Sequence, residues 1–155
     1  MQELGFEFTS VAASDVVRAI QLSLTPVFLL NGLGVLLGMM TTRLARIVDR
    51  ARVLEQRLLE VSPNEVADLR SDLDVLSRRA RLINRAITLG TVSALLVTSI
   101  VALLFATAFI AIRLGPPIAV VFIVAMLSLF GALWYFLTEV RIATVTLRFG
   151  GQRRP

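Results

Sequence analysis

Three long runs without Asp, Glu, Lys or Arg constrain this chain more than any other feature. They cover residues 20–42, 86–112 and 118–138. A bilayer has a hydrocarbon core about 30 Å thick, which a helix of about 20 apolar residues crosses. Each run is at least that long. The sequence therefore predicts an all-α integral membrane protein with three transmembrane helices.

The composition supports this prediction and excludes several kinds of site. Hydrophobic residues make up 56% of the chain and charged residues 17%, a balance more apolar than is usual for soluble domains. The chain contains no Cys and no His. It therefore lacks thiolate and imidazole groups, which are common metal ligands and catalytic bases. We expect no metal site, no cofactor and no enzymatic activity.

The distribution of arginine predicts the orientation. All sixteen basic residues are Arg. Ten lie in 43–85 and four in 139–155, whereas residues 1–19 contain only Arg18 and the link between the second and third runs contains only Arg113. Positively charged loops stay in the cytoplasm. We therefore expect residues 1–19 to be an extracytoplasmic N-terminal segment and both basic segments to lie inside, in a bacterial cytoplasmic (inner) membrane. Because topology accounts for the arginines, we expect no nucleic-acid partner.

Segment 43–85 carries two apolar heptad patterns. Apolar residues recur with alternating spacings of three and four along 43–61 and again along 66–83. This a/d pattern is typical of coiled coils, and the short link between the two stretches favours antiparallel helices. Ser62 is the expected N-cap of the second helix and Pro63 its first residue. The segment is predicted to be a cytoplasmic antiparallel coiled-coil hairpin that continues from helices 1 and 2.

A basic heptad occurs twice at the root of this predicted hairpin, as ARIVDRA at 45–51 and ARLINRA at 80–86. We interpret the two copies as a collar that holds anionic lipid headgroups, an interaction of about 1 kcal/mol per Arg. The alternatives are a cytoplasmic vestibule and a docking site for a cytoplasmic protein. The collar residues are Arg46, Asp49, Arg50, Arg81 and Arg85.

The remaining acidic residues near the predicted boundaries are expected to be solvated. The cluster DLRSDLD at 68–74 is interpreted as the solvated face of the hairpin. Glu139, directly after the third apolar run, is expected to be solvated as well. Neither is predicted to serve a catalytic role.

A stripe of small and polar residues lies along one face of the first predicted helix. It consists of Asn31, Gly34, Gly38 and Thr42. Small residues let helix backbones approach closely in lipid. We expect the stripe to pack against other helices of the chain and against other copies in a homo-oligomer. Alternatively it lines a pore, because Asn is costly in lipid unless it contacts protein or water.

Two stretches of the chain resemble a known family. They are AIQLSLTPVFLLNGLGVLLGMMTTRLARIVDRARVLE at 19–55 and RRARLINRAITLGTVSALLV at 78–97, with Pro26 in TPVFLL among the most specific features. Together they resemble domain of unknown function 2721, a family of small bacterial three-span membrane proteins, over most of the chain from Ala19 to Leu147. The resemblance implies the same three-span topology and cytoplasmic segment. It implies no catalytic or binding role.

Two functions fit these features. The first is a homo-oligomeric channel or pore component with the Asn31 stripe near its axis. The alternative is a structural or regulatory membrane adaptor, in which the hairpin and the Arg collar bind a partner protein or anionic lipid. An enzyme is the least favoured class because no nucleophile–base pair is present.

Overall fold

The computed structural model describes the backbone of residues 2–62, 65–109 and 115–149, and the side chains of 17–18, 20–62, 65–107 and 115–144. Three helices make up almost all of this: α1 (Gln2–Leu58), α2 (Val66–Phe109) and α3 (Gly115–Phe149). The all-α prediction is confirmed for the described part of the chain.

All three helices are long and apolar enough to cross a membrane. The qualifying portions are Ile20–Leu58, Val66–Thr107 and Gly115–Thr144. Large apolar side chains point away from the rest of the chain on these helices, as at Phe28, which is 73% exposed. Such surfaces are stable in lipid, where hydrocarbon solvates them and the helix satisfies its own backbone polar groups. The chain is therefore a multi-pass membrane protein. Residues 110–112 of the second predicted run lie outside the described residues.

The helices run unbroken through the predicted membrane boundaries. α1 passes residues 42 and 43 without interruption, and α2 passes residues 85 and 86. Helix α2 starts at Val66, and Pro63, the expected first residue of this helix, lies outside the described residues. The backbone N–H of Glu65 donates to the carbonyl of Ser62 (3.0 Å), and that of Leu69 donates to the carbonyl of Glu65 (3.2 Å). The second of these bonds joins residues four apart, so the helical hydrogen bonding of α2 starts at the Glu65 carbonyl.

The chain divides into two compact units, and the first comprises residues 1–35 and 91–128. Its buried side chains include Leu33, Val97 and Ile100. The Ser93 hydroxyl of α2 is fully buried and donates to the Ala125 carbonyl of α3 at 2.9 Å. This hydrogen bond satisfies a polar group that would otherwise be costly in an apolar interior.

The second unit comprises residues 36–90 and 129–155. Heptad positions of α1 and α2 meet in one apolar cluster, to which Tyr135 and Phe136 of α3 are added. Met40 and Ile47, two bulky side chains seven residues apart on α1, are buried there. The members of the cluster on α1 and α2 are Met40, Leu44, Ile47, Ala51, Leu54, Leu76, Ala80, Ile83, Ala86 and Ile87.

Gly90 of α2 marks a close helix approach in this second unit. A Cβ added there would lie 2.9 Å from Leu37 Cδ2 of α1 and 3.9 Å from Ala132 Cβ of α3. The site thus has no room for a large side chain. A Cβ added at Gly32 of α1, by contrast, meets no atom within 4 Å.

We predict that Gly90→Leu destabilises the protein, whereas Gly32→Leu does not. Overpacking a well-packed interior costs about 1–3 kcal/mol. Leu at position 32 enters open space and has a better helix propensity than Gly. Thermal unfolding followed by circular dichroism in detergent should show a lower midpoint for Gly90→Leu alone. Equal midpoints for the two variants would contradict close packing at Gly90.

Candidate functional site

Glu139 of α3 is the centre of the most distinctive polar cluster. The prediction that it is solvated is wrong, because the residue is 0% exposed. It lies seven residues after Ala132 and fourteen after Ala125, which are also buried. Residues seven apart share a helix face. Glu139 was assigned to the membrane boundary because it directly follows an apolar run. The seven-residue spacing from Ala125 and Ala132 was the signal in the sequence that it shares their helix face.

Two arginines from the other helices neutralise this carboxylate. Arg79 of α2 donates from Nε (3.1 Å) and Nη2 (2.8 Å) to Oε1 of Glu139. Arg43 of α1 donates from Nη1 to Oε2 at 3.2 Å. A buried charge is tolerated when it is paired and hydrogen-bonded, and charge-assisted bonds from Arg are among the strongest available. One carboxylate thereby joins all three helices within the second unit.

Aromatic rings next to Glu139 hold two arginines. The guanidinium carbon of Arg43 lies 5.3 Å from the Phe136 ring centroid, and that of Arg85 lies 5.9 Å from the Tyr135 centroid. A guanidinium within about 6 Å of a ring centroid gains a cation–π attraction. Two neighbouring rings of α3 therefore each contact a guanidinium group, one from α1 and one from α2.

The structure separates the four arginines of the predicted collar into two groups, and Asp49 contacts neither group in the described interactions. All five are exposed. Arg46 and Arg50 border the same crevice as Glu139. Arg81 instead donates from Nη1 to Ser77 Oγ at 2.6 Å, and Arg85 stacks on Tyr135.

The Asn31 stripe does not pack within the described part of the chain. Asn31, Gly34, Gly38 and Thr42 are all exposed. A Cβ added at Gly34 or Gly38 meets no atom within 4 Å. The Thr42 hydroxyl donates to the carbonyl of Gly38 at 2.9 Å, within its own helix. Within the described residues α1 buries the face of Leu33, Met40 and Ile47 instead, and contact of the stripe with other copies stays a prediction.

The cluster around Glu139 offers arginine donors rather than metal ligands. Among the residues whose placement is described, no group of three or more His, Cys, Asp or Glu side chains could hold a metal ion. Glu139 has both carboxylate oxygens engaged by arginine. The arrangement is suited to fixing helices and to presenting positive charge to an anion.

We predict that Glu139→Gln lowers the free energy of unfolding by about 2–4 kcal/mol, near the range for breaking a buried ion pair. The amide keeps the size of the side chain but leaves Arg79 and Arg43 without their charged acceptor. The expected loss is smaller than for a fully buried pair, because solvent screens the side chains of Arg79 and Arg43, which are 23% and 42% exposed.

The matched control for this prediction is Glu55→Gln, which removes an exposed carboxylate from α1. A surface change of this kind costs within about 0.5 kcal/mol. Unfolding in detergent with increasing denaturant measures both variants. Equal losses of stability would show that the Glu139 cluster does not join the helices.

The family comparison agrees with the resemblance noted in the sequence. A family model described as "Protein of unknown function (DUF2721)" matches residues 23–149, a stretch that includes Arg43, Arg79 and Glu139. No curated protein and no solved structure matches the chain. With most of its length matched, and with three helices able to cross a membrane, the chain belongs to the DUF2721 family.

Proposed function

We propose that this protein is a homo-oligomeric channel or pore component of the bacterial cytoplasmic membrane, assembled through the Asn31 stripe of α1. The observation that carries the proposal is the exposure of Asn31, Gly34, Gly38 and Thr42 in a single chain. The stripe lies on a helix long and apolar enough to cross the membrane.

Physical chemistry favours covering this stripe. An amide side chain exposed to hydrocarbon is costly, and polar residues within membrane helices face protein or a water-filled cavity. Gly34 and Gly38 leave open space above the α1 backbone. A second copy of α1 could approach closely there, since small residues are enriched at membrane helix interfaces. In a ring of copies, the Asn31 amides would face a shared, hydrated axis.

The order of contacts in the second unit supports the predicted antiparallel hairpin. Arg43, Arg46 and Ile47 of α1 border a crevice together with Leu76 and Arg79 of α2. Further along α1, Leu54 and Arg57 border a crevice that extends back along α2 to Leu69. Residues later in α1 therefore lie beside residues earlier in α2, as expected for antiparallel helices. The arginine content of this segment favours its location in the cytoplasm.

Self-association through the stripe predicts a clear difference between two neighbouring glycines. Gly34→Leu should weaken the oligomer, because the added side chain blocks close approach. Gly32→Leu is the matched control, since residues two apart do not share a helix face. Analytical ultracentrifugation in detergent should show dissociation of Gly34→Leu alone. A wild-type protein that is monomeric in detergent and in lipid would contradict the proposed assembly.

Channel activity is tested separately with Asn31→Leu in liposomes. If Asn31 lines a hydrated axis, removing the amide should change ion flux by about tenfold, the effect of one hydrogen bond of about 1–2 kcal/mol in a membrane interior. Dye-coupled flux from purified proteoliposomes measures the change. An oligomer that is well folded and passes no ion under any imposed gradient would reject the channel while leaving the assembly intact.

A membrane adaptor is the second function that we propose, and the exposed collar arginines favour it. Reversing two of them, Arg81→Glu with Arg85→Glu, should abolish binding to vesicles that contain anionic lipid or capture of a cytoplasmic protein. The matched control is Arg70→Glu with Arg78→Glu, which changes the same charge at exposed positions of the same helix. Equal binding by both double variants would count against the collar.

A further inference from the structure

A basic crevice in the second unit includes Arg46 and Arg50 of the predicted collar and extends beyond them to Arg43, Arg57 and Arg79. Two adjoining cavities form it, of about 370 Å³ and about 310 Å³, and both are bordered by Arg50, Leu76, Arg79 and Ala143. Each volume lies within the range of small-molecule sites, roughly 300–1,000 Å³. All three helices contribute to its walls.

The crevice carries an excess of positive charge. Five arginines border it and only two carboxylates oppose them, which leaves three positive charges; the arginines are Arg43, Arg46, Arg50, Arg57 and Arg79, and the carboxylates are those of Asp72 and Glu139. Arg43 and Arg79 are the two that pair with Glu139. Within the described side chains, no carboxylate forms an ion pair with Arg46, Arg50 or Arg57.

The apolar lining of the crevice strengthens its attraction for anions. Leu54, Leu69 and Leu76 line the larger cavity together with the charged groups. Low-dielectric walls focus the field of neighbouring charges, so an anion held there is bound more strongly than one on an open surface. Glu139 acts as a positioning residue, because it holds the guanidinium groups of Arg43 and Arg79 at one wall.

We infer that this crevice binds a phosphate group, carried by an anionic lipid headgroup or by a soluble phosphate compound. The planar guanidinium presents parallel donors that match phosphate oxygens, and three arginines without a carboxylate partner complement a phosphate charge. Arg43 directly follows the apolar run 20–42, which brings a headgroup within reach when α1 crosses the bilayer. The inference deepens, and to that extent rests on, the adaptor function, and it is independent of self-association through α1.

Two binding arms distinguish the sources of the phosphate. In the first, the full chain in nanodiscs of neutral phosphatidylcholine is titrated with pyrophosphate by calorimetry. In the second, the full chain in neutral detergent is titrated with phosphatidylglycerol, and bound lipid is counted by native mass spectrometry. Binding in the second arm alone identifies a headgroup site, and binding in both identifies a site for phosphate in general.

The test variant is Arg50→Gln with Arg57→Gln, and its matched control is Arg70→Gln with Arg78→Gln, which removes equal charge outside the crevice. Each lost guanidinium–phosphate interaction weakens binding by about tenfold or more. We expect that loss in the crevice variant and a change below about twofold in the control. Arg46→Gln, a single change at an exposed position, repeats the test if the double variant does not fold.

Absence of binding in both arms, or equal weakening by the two double variants, would overturn the inference. The collar variant Arg81→Glu with Arg85→Glu changes only collar arginines of α2 that lie outside the crevice, and it separates this failure from that of the adaptor. Loss of vesicle binding in the collar variant, with normal binding in the crevice variant, would retain the adaptor and reject the crevice. The reverse pattern would confirm the crevice as the anion site.

Discussion

The pairing of one buried carboxylate with two arginines is the interaction on which the second unit depends. Charge-assisted hydrogen bonds and close packing both help to determine which helix faces meet. A buried carboxylate without a partner is costly, so Glu139 requires positively charged partners. Arg43 of α1 and Arg79 of α2 supply them, and they can do so only when these two positions face α3.

The residues that the packing leaves uncovered give the protein its proposed functions. The bulky heptad side chains pack against one another in the α1–α2 cluster. On α1, Asn31 and its glycines are exposed, and in the second unit Arg46, Arg50 and Arg57 border a crevice that leucines also line. An amide exposed to hydrocarbon is stabilised by contact with a further copy of the chain, whereas arginines without a carboxylate partner are stabilised by a bound anion. The two proposals thus have separate physical origins.

Two features of the structure could not be predicted from the sequence, for a common reason. Glu139 was expected in solvent but is buried, and the Gly34–Gly38 face, expected to pack within the chain and against other copies, is exposed in the single chain. Periodicity identifies residues that share a face, yet it does not say which face meets a neighbouring helix. Small residues permit close contact without requiring it, and an acid at a helix boundary is buried only if another helix supplies its partner. Arg79, sixty residues earlier in the chain, carries no local sign of that role.

The sequence by itself determined the number of apolar helices, their continuity beyond the membrane boundaries, and the apolar heptads that meet between α1 and α2. These follow from local composition and period, which depend on residues a few positions apart. Only the tertiary structure decided that Glu139 lies buried between Arg43 and Arg79, that the Asn31 stripe is left exposed, and that five arginines border one crevice. Those features depend on contacts between distant segments, because a charge or an amide acquires its environment only when other helices pack against it.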